Sequence, residues 1–188
     1  EAGSILVFDI PPKGTNVILS DVVHKHTAPI TDLTSEKDVL VSADELGSIT
    51  VWKFNGTKLS QLTNIRATGW PCNSIVLWKG VLVAGYASGH LRVYNATTGV
   101  LGAEVLAHAR AINAIDVSKE NGMLLSVSDD TYFRVWHLKV MSVPQIEFSY
   151  GESIADLQLV GGSFVDGQGR ALCLTGYDNN DIIFYVRG

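Results

Sequence analysis

Short apolar stretches alternate with clusters of Gly, Asp, Asn, Pro and Ser along the whole chain, and many of them switch between apolar and polar residues with a period of two. That pattern predicts β-strands joined by tight turns, because successive strand side chains point to opposite faces and turn residues punctuate the runs. No segment holds a helical period over a useful length. Four of the strands end on an aromatic residue: GSILVF at Phe8, GSITVW at Trp52, GHLRVY at Tyr94 and TYFRVW at Trp136, spaced 44, 42 and 42 residues apart. A fifth copy, DIIFY, ends at Tyr185, 49 residues further on. Four strands fit within each interval. A repeat of roughly 40–45 residues with four strands per unit predicts an all-β propeller built from blades. A blade cannot bury its own faces, so the repeat specifies architecture rather than chemistry.

The first complete unit places strands at 28–34, 38–43, 47–53 and 58–64, the second at 73–78, 80–86, 89–95 and 100–107, and the third at 111–117, 122–128, 131–138 and 143–149. The fourth supplies 153–160, 171–176 and 181–186, with the Gly-rich stretch 161–170 read as an enlarged loop between its first two strands. Residues 3–10 and 16–22 read as the third and fourth strands of a preceding blade. The chain therefore divides into a partial blade (1–22), three blades (23–66, 67–107 and 108–149) and a blade lacking its outer strand (150–188). Four blades and a two-strand remnant do not close as a seven-bladed ring. The chain is expected to be the C-terminal part of one, completed by blades from an upstream segment or a second chain.

Composition narrows the function without naming it. Of 188 residues, 46% are hydrophobic and 18% charged, which excludes a disordered or fibrous chain. No apolar run approaches the ~18 residues that span a bilayer, and no signal peptide is visible. The net charge of −5 comes without a basic run, which argues against a nucleic-acid binder. Cys72 and Cys173 are far apart and read as reduced thiols, so an intracellular, cytoplasmic setting is expected.

The third complete unit carries His108, Ser126, Asp130 and Trp136, with Ser and Asp four apart and Trp six beyond the Asp. This spacing resembles that of the WD-repeat β-propeller family. The resemblance implies a structural hydrogen-bonded set, in which a loop His, a strand Ser, a turn Asp and a strand Trp satisfy one another. The first unit keeps His26, Ser42 and Trp52, but Leu46 stands at the Asp position and Asp44 is out of step. The second has Ala84, Ser88 and Tyr94 and keeps none of the polar set. The resemblance covers nearly the whole chain and implies a non-catalytic scaffold for protein–protein interaction.

His108, Ser126 and Asp130 are also the residue types of a hydrolytic triad. A nucleophile needs an exposed, strained turn beside an oxyanion hole, however, and Ser126 sits inside the apolar strand LLSVS. The main alternative to a scaffold is a hydrolase with its site at the propeller's central mouth, where the inner strands offer Thr31, Asp32, Asn113, Asp116 and Asp156. His24 and His26 amount to half a metal site with no third ligand, GQGR lacks the lysine and helix of a phosphate loop, and no cofactor or metal is expected. The connections between blades and the turns joining second to third strands share one rim. That rim carries Arg66, Trp70, Tyr86, Arg110, Tyr132 and Tyr177, the candidate surface for a protein or peptide partner.

Overall fold

A computed structural model describes residues 3–56 and 58–187; residues 1–2, Thr57 and Gly188, at the ends of the first and last expected segments and in the stretch NGTK, lie outside them. Every regular element among these residues is a strand, and the strands form five antiparallel sheets in chain order. β1 (Ser4–Asp9) pairs with β2 (Ile18–His24) alone. The first complete blade is β3 (Ile30–Glu36), β4 (Val39–Asp44), β5 (Ile49–Phe54) and β6 (Leu59–Ile65). The second is β7 (Cys72–Trp78), β8 (Val81–Tyr86), β9 (His90–Asn95) and β10 (Leu101–Leu106). The third is β11 (Ile112–Val117), β12 (Met123–Ser128), β13 (Tyr132–Lys139) and β14 (Gln145–Ser153). The last sheet holds only β15 (Leu159–Phe164), β16 (Ala171–Gly176) and β17 (Ile183–Val186).

Two of the segment limits move. The limit at 22 falls inside β2, and the limit at 149 falls inside β14, which runs on to Ser153 because Tyr150–Ser153 keep pairing with β13 as far as Tyr132. The inner strand of the last sheet consequently starts at Leu159 instead of 153. Asp156, at a φ of 58°, lies in the turn before it. The stretch 161–170 is likewise not all loop. Gly161–Phe164 belong to β15, paired with Leu172–Thr175, and only 165–170 connect. Gly162 is there for contact: a Cβ would come within 2.7 Å of Val127 and 3.1 Å of Leu125.

The core consists of layers between blades, as strands apolar on both faces require. Along β7, Ile75 and Leu77 face Val41, Ala43 and Val51 of the first blade, while Val76 and Trp78 face Ile115, Leu124 and Trp136 of the third. A third layer joins Leu125, Val127 and Phe133 to Leu159, Leu172 and Leu174. The first strands β3, β7, β11 and β15 pack side by side. Beside the two-stranded sheet β1–β2 the same alternation leaves side chains bare: Leu33 is 49% exposed, whereas Ile75 and Ile115, at the matching positions, are 3% and 6% exposed.

Each first strand begins with a bulge, at Ile30/Asp32, Cys72/Ser74, Ile112/Ala114 and Leu159/Gly161. A bulge re-aims the extra side chain. Here it sends Thr31, Asn73 and Asn113 across to the carbonyls of Cys72, Ile112 and Leu159 in the next blade. Further along the strands, Asp32 accepts the Ile75 N–H (2.8 Å), Ser74 Oγ the Ile115 N–H (3.3 Å) and Asp116 the Phe164 N–H (2.7 Å).

The two faces are stitched differently. On the upper face, which carries the connections between blades, backbone N–H groups bond backbone carbonyls in an unbroken series. It runs from Glu45 to Pro29 and Gly69 to Leu46, through Ala87 to Pro71, His108 to Gly89, Asp129 to Ala111 and Ile154 to Thr131, to Tyr177 on Gln158, at 2.8–3.2 Å. On the lower face most links use side chains, beside one backbone link from Glu120 N–H to Gly167 O (2.9 Å). Glu36 accepts the N–H groups of Lys79 and Gly80, Trp78 donates to Lys119 O (2.9 Å), and Asn121 donates to Gln168 O (2.7 Å).

Candidate functional site

In the third blade the polar set is assembled around a buried hydroxyl. Trp136 Nε1–H donates to Ser126 Oγ (3.0 Å), and Ser126 lies 2.8 Å from His108 Nε2. His108 Nδ1 faces both oxygens of Asp130, at 3.0 and 3.1 Å, and Asp130 also accepts the N–H groups of Ala109 and Tyr132. A neutral imidazole fits this arrangement, donating from Nδ1 to the carboxylate and accepting the serine proton at Nε2. Burial pushes the His108 pKa down to about 4, against the pull of Asp130 and with help from the Arg134 charge. Arg134 Nη1 is 2.7 Å from His108 Nδ1 as well, and Nδ1 cannot serve both neighbours. The carboxylate is its partner, because Nε2 then accepts the Ser126 proton at 2.8 Å, whereas the other tautomer would send that proton to Arg134 O at 3.5 Å. For Asp130, burial acts to raise the pKa but is outweighed by the Ala109 N–H, His108 and the Tyr132 N–H, so it stays ionised below the usual range. Ser126 is fully buried, and its position is a joint within the blade.

The first blade holds the same set with a different acid. His26 Nε2 lies 2.6 Å from Ser42 Oγ, Trp52 Nε1 donates to Ser42 Oγ (2.9 Å), and His26 Nδ1 faces Asp44 Oδ2 at 2.7 Å. Asp44 is therefore in step, contrary to expectation, and the 48%-exposed Leu46 is a bystander. The missed signal was the strand period: residues 42 and 44 point to one face, so an Asp two beyond the Ser reaches the same histidine. Both His26 ring nitrogens are thus occupied, while His24 bonds Ser4 Oγ (2.8 Å) at the end of β2. The two histidines do not act together.

The second blade substitutes aromatic packing for the set. Ala84 takes the place of the serine, Tyr94 that of the tryptophan, and Tyr86 that of Asp44. The Tyr86 and Tyr94 hydroxyls lie 3.4 Å apart, and the Arg92 guanidinium sits 4.7 Å over the Tyr86 ring. Burial raises both phenols, Tyr86 far above its ordinary range, and raises the Cys72 thiol beside them. Tyr86 has no exposure at all, so it leaves the candidate partner surface. It ends β8 opposite the Cys72 bulge, which turns its ring inward.

The other rim residues are accessible. Trp70 is 55% exposed and Tyr177 69%; Tyr132 is 39% exposed, with the Arg134 guanidinium 4.6 Å over its ring. Arg66 and Arg110 are exposed, and neither forms an ion pair among the described residues. Arg110 borders a polar cleft of about 430 Å³ with Asp129 and Asp156. At the inner edge Thr31, Asp32, Asn113 and Asp116 are all engaged by the neighbouring blade, and Asp156 is in a turn. The connection at 165–170 is pinned: Asp166 accepts from Gln168 and Arg170, and Glu120 N–H bonds Gly167 O (2.9 Å).

Comparison with known proteins agrees with this geometry. A computationally designed protein, Ika4, superimposes with a TM-score of 0.72 at 20% identity over 87% of this chain and 94% of its own. U3-55K superimposes with a TM-score of 0.74 at 15% identity over 87% of this chain and 50% of its own. At these identities the likeness concerns the fold. In sequence, WD repeat-containing protein 54 of Homo sapiens is 41% identical over 96% of this chain, and that of Mus musculus 40% over 97%. The chain spans 57% of the length of each. The phrases VFDIPPKG, HARAI and TGYDNNDI resemble that protein, and the WDR54 family pattern matches residues 1–187. By its blades, its polar sets and this match, the chain belongs to the WDR54 family of WD-repeat proteins.

Proposed function

We propose that the chain is part of a non-catalytic scaffold that binds a protein or peptide through its upper face. The observation that carries this reading is a division of labour among polar and aromatic side chains. His26, Asp44, His108, Asp130, Asp32 and Asp116 are consumed by hydrogen bonds within or between blades. Trp70, Tyr177, Arg66 and Arg110 stand in solvent on loops whose backbone is fixed without them. Large, rigid aromatics flanked by Arg bury area on binding at low entropic cost. A hydrolase would need a free acid or base at the inner edge, and the carboxylates there already serve as acceptors for the next blade. Separate thiols at Cys72 and Cys173 support an intracellular, cytoplasmic setting.

The test is affinity capture with full-length protein, comparing Trp70→Ala/Arg110→Ala with a variant shortened at 165–170 on the lower face. Loss of captured partners in the first and retention in the second is the expected result. The reverse would move the site to the lower face.

A further inference from the structure

A second groove opens on the lower face, between the first and second blades. Its volume is about 570 Å³, and its walls include Val39, Leu62, Lys37 and Lys79 over a floor at Leu77 and Ala96. Lys37 and Lys79 occupy matching turns 42 residues apart, and both are held in the left-handed backbone region, at φ 56° and 48°. That region suits Gly or Asn; a lysine there is an outlier that calls for a reason.

The charges point to one class of occupant. Glu36 spends both carboxylate oxygens on the N–H groups of Lys79 and Gly80. Asp38 is paired with Lys53, whose hydrogen bond lowers its pKa. The Lys37 and Lys79 ammonium groups form no ion pair among the described residues, and Lys79 Nζ is steadied 4.5 Å over the Trp78 ring. Beside them Leu62 is 44% exposed. Two cations outside any close ion pair, beside acids already engaged by Lys53 and by backbone N–H groups and next to bare aliphatic surface, complement a segment that alternates carboxylates with aliphatic side chains.

We propose that this groove docks an acidic, aliphatic peptide segment of a partner protein, with its carboxylates on Lys37 and Lys79 and an aliphatic side chain on Val39 and Leu62. A nucleic acid fits less well. Trp78, beside the groove, is buried and covered by Lys79, so no ring is free to stack a base. The site is on the face opposite Trp70 and stands whether or not a partner binds there.

Fluorescence anisotropy with full-length protein tests the proposal, using a labelled peptide of alternating glutamate and leucine. A glutamine–leucine peptide and an oligothymidylate serve as competitors. Lys37→Asn/Lys79→Asn should weaken peptide binding roughly 5- to 30-fold, as expected for two partly exposed ion pairs. Its unfolding midpoint should hold or rise, because Asn accepts left-handed backbone more readily than Lys. Leu62→Asp, on the other wall, should weaken binding independently by placing a like charge against the peptide. Binding that survives both variants, no binding of the acidic peptide, or stronger competition by the neutral peptide or the oligothymidylate would each overturn the proposal.

Discussion

The Asp44 carboxylate lies 2.7 Å from His26 Nδ1, two strand positions beyond the serine that holds the other ring nitrogen. Asp130 meets His108 from four positions beyond its serine, so two placements of the acid serve one purpose. Asp44 is 1% exposed and also accepts the N–H groups of Leu46 and Ser48. Asp44→Ala should therefore lower stability by about 1–3 kcal/mol, as should Asp130→Ala, by leaving buried donors unpaired. Leu46→Ala should stay within about 0.5 kcal/mol. Equilibrium urea unfolding measures all three, and an Asp44→Ala midpoint equal to that of Leu46→Ala would show the set to be uncoupled.

A histidine held neutral by burial makes stability depend on pH. The unfolded chain takes up the His108 proton near pH 6.5, and the folded chain only near 4. Between those values the unfolded state binds more protons, so stability falls as pH drops through the window and does not change above it on this residue's account. The loss should approach about 3 kcal/mol. The Asp130 contribution disappears only at lower pH, since its carboxyl is held below the usual range. Urea midpoints followed from neutral pH down to about 4 should show the decline, and His108→Gln should flatten it.

Two aromatics of the second blade should separate stability from binding. Tyr86 is fully buried, and Tyr86→Ala should cost about 3–5 kcal/mol through the cavity it leaves. Trp70 is 55% exposed, and Trp70→Ala should change stability by less than about 0.5 kcal/mol while removing captured partners. Thermal unfolding and capture, run on the same two variants, should give opposite rankings.

The last sheet is tied to the third blade through Asp116, which accepts from Phe164 N–H and Ser163 Oγ. Asp116→Ala should leave the Phe164 amide without its acceptor, at a cost of about 1 kcal/mol. Hydrogen exchange at Phe164 should quicken, while exchange at Ile75, whose acceptor is Asp32, should not change.

The architecture was legible because it is written in period. Phe8, Trp52, Tyr94 and Trp136 mark third strands, and the apolar runs of β7, β8 and β12 mark strands buried on both faces. The bulges were not legible, since they arise from how blades meet. Thr31 and Asn113 consequently read as candidate site residues, although the bulge aims them at the neighbouring carbonyls. Tyr86 failed for a related reason: proximity to a turn suggested exposure, and only the absence of the polar set around Ala84 hinted that a large ring was needed inside. Asp156 and the stretch 161–170 were misplaced because the β14 pairing runs on past Ser149, through Gly151, which reads as a turn signal yet stays paired with Arg134.

The upper-face relay runs from N–H to C=O at every step, and its acceptors include Pro29 and Pro71, which have no N–H to lose. It fixes the glycines along it, since a Cβ on Gly47 would come within 2.3 Å of Trp70 O and one on Gly89 within 2.1 Å of His108 O, but it makes no use of the Trp70 and Arg110 side chains. The lower face is spelled by Glu36, Trp78 and Asn121 and cannot be rewritten without loosening neighbouring blades. Side chains such as Trp70 and Arg110 can therefore change without cutting a bond between blades, whereas each change at Glu36, Trp78 or Asn121 unfastens one.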